Sequence, residues 1–405
     1  MKRMKWIPLL LVFCLLFQAA ALADAPAPTE GITVPVMEGM KDFEVPENDA
    51  LALVRDMKCG WNLGNTFDAI NGNGHDTTTQ LEYWWLGGPG KITTKALLEA
   101  LKEAGFNSIR IPVSWHNHVD NDFNIDAAWM DRVREVASWA MDLGMYAIVN
   151  IHHDNDAAFF YPDRAHAERT DAYLTAIWTQ MAENFKDFGD HLILESMNEP
   201  RLVGTSFEWN WNENDPTCIE AAERINELNQ MFVNIIRASG GNNADRYLSI
   251  PAYAASPWNT VKDAFRLPED TADNRIIVAA HAYTPYDFAL NTNSTDKTFD
   301  LDADNSKKAE ISGFLNGLYE RFVVNGVPVI MDEFGAINKS NLQDRVNFTA
   351  YYVASASTRG ITCFWWDNGA FTGNGELFGL IDRGTQEWRF PDIVLAIMAN
   401  CLYQR

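Results

Sequence analysis

The 405-residue chain carries 55 acidic against 32 basic side chains, a formal charge of −23, with 14 tryptophans and five cysteines. A surface this acidic repels phosphate backbones and anionic bilayers, so nucleic acid and membrane surfaces are excluded as partners and a neutral or cationic ligand is expected. The cysteines show no CxxC spacing and so offer no zinc or dithiol motif.

The chain opens with Lys2, Arg3 and Lys5, an apolar run from Trp6 to Phe17, and Ala21-Leu22-Ala23 before Asp24. This is the pattern of a secretory leader over 1–23, too short in its apolar part to span a bilayer. Its removal takes away three positive charges and no acid, moving the formal charge to −26. The mature protein is expected outside the cytoplasm, extracellular or periplasmic, with no membrane attachment. Of the four cysteines left, Cys59 and Cys363 lie in apolar strand candidates and read as small core fillers rather than a disulfide. Residues 24–46, with Ala25-Pro26-Ala27-Pro28, read as a Pro- and acid-rich arm or tether. Residues 47–405 contain no second linker and no repeat, and are expected to share one core.

Within that region short apolar strands alternate with helical spacing. Strands are expected at Met57–Leu63, Ser108–Trp115, Tyr146–His153, Leu192–Glu199, Arg246–Tyr253, Ile276–Tyr283, Pro328–Phe334 and Gly360–Trp366. Helices are expected at Thr94–Ala104, Ala127–Leu143, Asp171–Phe188, Ile219–Ala238, Val261–Arg266, Ala309–Val324, Leu342–Thr358 and Asp392–Tyr403. Eight of each imply an α/β fold, a (β/α)8 TIM barrel. Helix-to-strand connections are short and marked by glycine, as at Gly105, Gly144 and Gly360. Strand-to-helix connections are long, as at Asn65–Thr93, Asp154–Thr170, Arg201–Thr217, Thr284–Lys308 and Asp367–Pro391. That asymmetry places the inserted chain, and a cleft, at the C-terminal face of the barrel.

Two strands run apolar and then deliver a glutamate: Ile193-Leu194-Glu195-Ser196-Met197-Asn198-Glu199-Pro200, and Val329-Ile330-Met331-Asp332-Glu333-Phe334-Gly335. A carboxylate at the mouth of an apolar strand is costly to desolvate unless the site uses it, so the pair points to acid/base chemistry. The other strand ends supply Asn62, Asn65, Arg110, Trp115, His152, His153, Tyr253, His281, Tyr283, Trp365 and Trp366. Amides and imidazoles bond sugar hydroxyls while aromatic faces stack on sugar rings, so this mixture suits a neutral polysaccharide.

The strings Gly60-Trp61-Asn62-Leu63-Gly64-Asn65-Thr66-Phe67-Asp68, Ile109-Arg110-Ile111-Pro112-Val113-Ser114-Trp115, Asn150-Ile151-His152-His153, Met197-Asn198-Glu199-Pro200, His281-Ala282-Tyr283 and Asp332-Glu333-Phe334-Gly335 together resemble glycoside hydrolase family 5, of the clan of 4/7 barrels. The likeness is to its bacterial endoglucanase, lichenase and xyloglucanase branch, and covers about residues 57–390. It implies a retaining endo-β-1,4-glucanase, a cellulase acting on β-glucan by double displacement, with no cofactor and no metal, working as a monomer. Lichenan and xyloglucan are further substrates it implies. Glu199 matches the acid/base and Glu333 the nucleophile, with carboxyl groups about 5 to 5.5 Å apart. Glu199 is then expected to hold a proton near neutral pH while Glu333 stays ionised. Arg110 and Tyr283 would support Glu333, His281 would lie beside Glu199, and Asn198 would hold the sugar 2-hydroxyl. Asn65, His152, His153 and Trp366 would bind substrate.

Several side chains keep a second reading. Arg110 is expected also to neutralise Glu195, which shares the parity of Glu199. Trp365 rivals Trp366 as the stacking platform, and Trp115 fits core or cleft equally. Asp332 is expected to face away from Glu333 and to hold structure. Trp84, Trp85, Trp209 and Trp211 are candidates for distal sugar subsites. Two segments depart from the family pattern, Trp84 to Gly90 and Asp287 to Asn305, and both leave the glucan preference open. A β-mannanase or xylanase on the same barrel is the alternative enzyme. A non-catalytic polysaccharide-binding barrel is the alternative from another class, against which stand glutamates at both central positions. A metal-dependent hydrolase built on His152, His153 and His281 is disfavoured by the adjacent His-His spacing and the absence of HExxH.

Overall fold

The computed structural model describes residues 27–402, so the expected leader lies outside the described residues. Eight strands, β1 (Gly60–Leu63), β2 (Ser108–Ile111), β3 (Tyr146–Val149), β4 (Leu192–Glu195), β5 (Leu248–Pro251), β6 (Ile276–His281), β7 (Val329–Phe334) and β8 (Thr362–Asp367), pair in parallel and in sequence. β8 returns to β1 and closes the barrel. The α/β barrel expected from the alternation is therefore the fold.

The helices in chain order are α1 (Asp49–Asp56), α2 (Leu81–Trp84), α3 (Lys95–Glu103), α4 (Ala127–Asp142), α5 (Ala167–Phe185), α6 (Pro216–Ala238), α7 (Pro257–Thr260), α8 (Tyr286–Ala289), α9 (Asn305–Arg321), α10 (Leu342–Ser357) and α11 (Pro391–Asn400). Their buried stripes, such as Leu97, Leu98 and Leu101 of α3, pack onto the outward residues of the strands in one continuous core. None is long and apolar enough to cross a membrane among the described residues.

Helix α1 closes the bottom of the barrel. Asn48 caps it by accepting from the Leu51 N–H, worth about 1 kcal/mol. Its Ala50, Leu53 and Val54, with Met57, pack against Ile148, Ile193, Ile277, Ile330 and Phe364. The arm is tied to this frame along its described length. The Thr29 N–H and hydroxyl donate to Asp392 at the start of α11, Gln343 of α10 and Thr33 bond each other, and Asn400 at the end of α11 bridges Pro35 and Met37. Phe43 then packs between Tyr319 and Arg359. The segment is a strap over the outer helices rather than a free tether.

Several of the expected boundaries shift. The helix expected at Val261–Arg266 is instead the single turn α7, since Pro257 supplies a helix start. Strands β3 and β4 end at Val149 and Glu195, short of His153 and Glu199, so the polar residues that follow lie in the mouth rather than in the ladder.

Candidate active site

Arg110 on β2 is the hub of the barrel's upper interior. It is wholly buried, and its Nε and Nη2 donate to both oxygens of Glu195 at 2.9 and 2.6 Å. Its Nη1 donates to Glu333 Oε1 at 2.6 Å and to Asn62 Oδ1 at 3.1 Å, and its Nη2 also donates to Asn198 Oδ1 at 2.8 Å. Charge-assisted forks of this kind fix both partners. The expected neutralisation of Glu195 is present, and the same guanidinium reaches Glu333.

Glu333 Oε2 accepts from the Tyr283 hydroxyl at 2.9 Å, so both its oxygens hold a donor. His281, the last residue of β6, places Nδ1 2.8 Å from Glu199 Oε1 and 3.7 Å from Glu333 Oε2. One oxygen of Glu199, one of Glu333 and a ring nitrogen of His281 lie within 4.8 Å of one another. More than 130 residues of chain separate these acids, and the barrel brings them together across one gap.

His152 is buried with Nε2 4.0 Å from Glu333 Oε1, its ring parallel to Trp366 at 5.7 Å. His153 is half-buried at the mouth, against Trp85. Asn65 is held at φ 56° while its N–H donates to Asp68, a left-handed position that asparagine tolerates better than most residues. Trp366 faces the groove. Trp365 turns outward and donates from Nε1 to the Phe378 carbonyl, which settles the parity of β8. Trp115 is core, donating to the Asn150 carbonyl.

The groove above them holds about 1060 Å³ and is lined by Asn65, Glu199, His281, Tyr283, Glu333 and Trp366 among others. Arg110, Asn198 and His152 lie beneath that lining. Trp85 and Trp209 reach it from long loops, and so do residues the sequence reading passed over: Arg201, Trp258, Tyr286 and Glu376. Arg201 directly follows Asn-Glu-Pro, a signal available in the sequence; Glu376 carries none. Leu290 to Asn293, within the long divergent segment, also border the groove.

Asp332 does not face away. A register shift in β7 between Met331 and Phe334 breaks the alternation, and Asp332 lies inside the barrel, 3.5 Å from Arg110 Nε and 3.3 Å from His281 Nε2.

The resting protons are also arranged differently from the expectation. Burial opposes a charged His281, but the nearby charges of Glu333 and Asp332, with the Glu199 hydrogen bond, hold its pKa well above the ordinary histidine value. Burial pushes Glu199 up, yet the His281 hydrogen bond and charge, with Arg201 and His153, draw it below the carboxylate range. Burial raises Glu333 by more than His281 and Arg110 lower it, and the Glu199 charge adds to the rise. These directions favour the proton on the imidazole side of the 2.8 Å hydrogen bond between His281 and Glu199. Burial likewise forces His152 to stay neutral.

The chain as a whole is similar to known proteins. The family model for Cellulase (glycosyl hydrolase family 5) matches residues 65–372. Endoglucanase 1 of Ruminococcus albus is 43% identical over 369 residues, spanning 90% of this chain and 85% of its own. Cellulase/esterase CelE of Acetivibrio thermocellus is 42% identical over 366 residues; the match takes in 90% of this chain but 41% of that longer protein. Among solved structures, a GH5 family lichenase from Caldicellulosiruptor sp. F32 superposes with a TM-score of 0.88 at 47% identity, covering 91% of this chain and all of that one.

Proposed function

Because this chain belongs to glycosyl hydrolase family 5, the cellulases, we propose that it is a secreted retaining endo-β-1,4-glucanase in which Glu333 is the nucleophile and Glu199 the acid/base. The observation that carries the reading is the approach of Glu199, His281 and Glu333 to within 4.8 Å of one another in an open groove. A separation of that order leaves room for a sugar carbon but not for an intervening water, the spacing of the double-displacement route.

In the first step a Glu333 oxygen attacks the anomeric carbon while Glu199 protonates the departing glycosidic oxygen. The proton comes from His281 Nδ1 along the existing hydrogen bond. Arg110 and Tyr283 hold the Glu333 oxygens in line, which lowers the cost of orientation. Asn198, with its Oδ1 engaged by Arg110, turns its amide nitrogen to the sugar 2-hydroxyl. Trp366 stacks beneath the sugar, and His152, His153 and Asn65 bond its hydroxyls. In the second step Glu199 takes a proton from water as the water oxygen displaces Glu333.

The groove is bordered by long loops carrying Trp85 and Trp209 and is lined by one chain, which supports internal cleavage by a monomer. Lichenan stands beside cellulose as a substrate, since a lichenase is among the similar structures. Export rests on the leader pattern of residues 1–23. Reducing-end release and product chromatography on carboxymethylcellulose, lichenan, xyloglucan, mannan and xylan provide the test. Short oligosaccharides from the β-glucans are expected; release from mannan or xylan alone contradicts the reading.

A further inference from the structure

Beneath the two glutamates lies a third acid that the steps above leave unused. Asp332 is fully buried, and neither of its carboxylate oxygens has a well-aligned hydrogen bond among the described residues. The same is true of His281 Nε2. These atoms face each other, with Asp332 Oδ1 and His281 Nε2 3.3 Å apart. A buried carboxylate and a buried ring nitrogen are each costly when left unpaired, and a proton between them removes both costs. The opposite edge of the ring is the one that meets Glu199.

We propose that Asp332 is a positioning residue that holds His281 protonated at Nε2, so that Nδ1 is the atom exchanging a proton with Glu199 in both halves of the reaction. The inference rests on Glu199 being the acid/base. In the first half the Nδ1 proton passes to Glu199 and on to the leaving oxygen, while His281 stays neutral with its Nε2 proton toward Asp332. In the second half the proton that Glu199 takes from water returns to Nδ1.

The surroundings support an ionised Asp332. The groups facing His281 are Glu199 beyond β4, Asp332 and Glu333 on β7, Arg110 on β2 and neutral His152 beyond β3. Asp332 shares Arg110 with Glu195. Burial drives Glu195 up to about 7, whereas His281 and Arg110 outweigh burial at Asp332 and hold it low. Of the two acids, Asp332 is the one held ionised through neutral pH.

Asp332→Asn keeps the size and one acceptor oxygen but removes the charge. Since the anion raises the pKa of the ring, its loss lets the His281–Glu199 pair release its proton at lower pH. The basic limb of kcat/KM on carboxymethylcellulose is expected to fall by about one pH unit or more, with KM held within about twofold. A basic limb unmoved from the wild-type position overturns the proposal. If the variant does not fold, 15N-histidine NMR of the wild-type enzyme decides, with His281→Gln used for assignment. Imidazolium shifts persisting above about pH 7.5, with a hydrogen-bonded Nε2 proton, are expected. A His281 ring that is neutral by pH 6, or protonated at Nδ1 alone, overturns it. The spectrum reads the ring whether or not any glucan is cleaved, so failure of the glucanase reading is separately visible.

Discussion

One guanidinium organises the chemistry of this site. Arg110 touches Glu195, Asn198 and Glu333 at once, so one buried cation orients the nucleophile and the 2-hydroxyl partner together, while His281 holds Glu199. Glu333→Ala is expected to lower turnover by at least about 10⁴-fold with an unchanged far-ultraviolet dichroism spectrum, and added azide should restore cleavage as an inverted glycosyl azide. Near-normal hydrolysis by that variant would remove the nucleophile role. Glu199→Gln should lose about 10² to 10⁴ on cellulose but far less on aryl cellobiosides, whose leaving groups need no proton. Equal loss on both substrates would count against an acid. The positions of these two residues were legible because strand ends and motifs coincide there. The resting proton was not, since it depends on the 2.8 Å contact with His281 and on three carboxylates converging in three dimensions.

At the scale of elements, the barrel follows from the alternation of apolar strands with helical spacing, and the misreadings have local causes. Asp332 was misassigned because a two-residue period assumes an unbroken ladder, and the shift in β7 interrupts it. The crossover after β5 was misplaced because Pro257-Trp258 starts a one-turn helix too short to show periodicity. Trp366 could not be told from Trp365 until neighbouring strands fixed the parity of β8. The closure of β8 on β1 depends on a glycine: a Cβ at Gly60 would stand 1.9 Å from the Phe364 ring. Gly60→Ala is therefore expected to cost about 1 to 3 kcal/mol by urea denaturation, with kcat retained at low temperature because Phe364 lies in the bottom layer, away from Glu333. A variant as stable as the wild type would show that this seam can widen freely.

For the whole molecule, the strap over residues 27–46 and the plug α1 join the two faces of the barrel through the outer helices. Deleting the strap removes the bonds to Asp392, Gln343 and Asn400 and uncovers Tyr319 and Arg359. The melting temperature is expected to drop by roughly 3–8 °C, with kcat/KM at 25 °C unchanged because no strap residue lines the groove. An unaltered melting curve would mean that the segment rides on the surface without contributing. Its composition announced an arm, but not its docking, because the anchoring partners lie some 300 residues away in sequence.

The plug has a different consequence. With α1 packed beneath Ile148, Ile193, Ile277, Ile330 and Phe364, nothing reaches the glutamates from below, and every molecule that meets the bound sugar arrives by way of the groove. The water that frees the bound sugar can enter only after the severed chain end has moved aside. Whatever hydroxyl reaches the threshold first takes the sugar, so a crowd of short glucans at the entrance competes with water and diverts breakage into the building of longer chains.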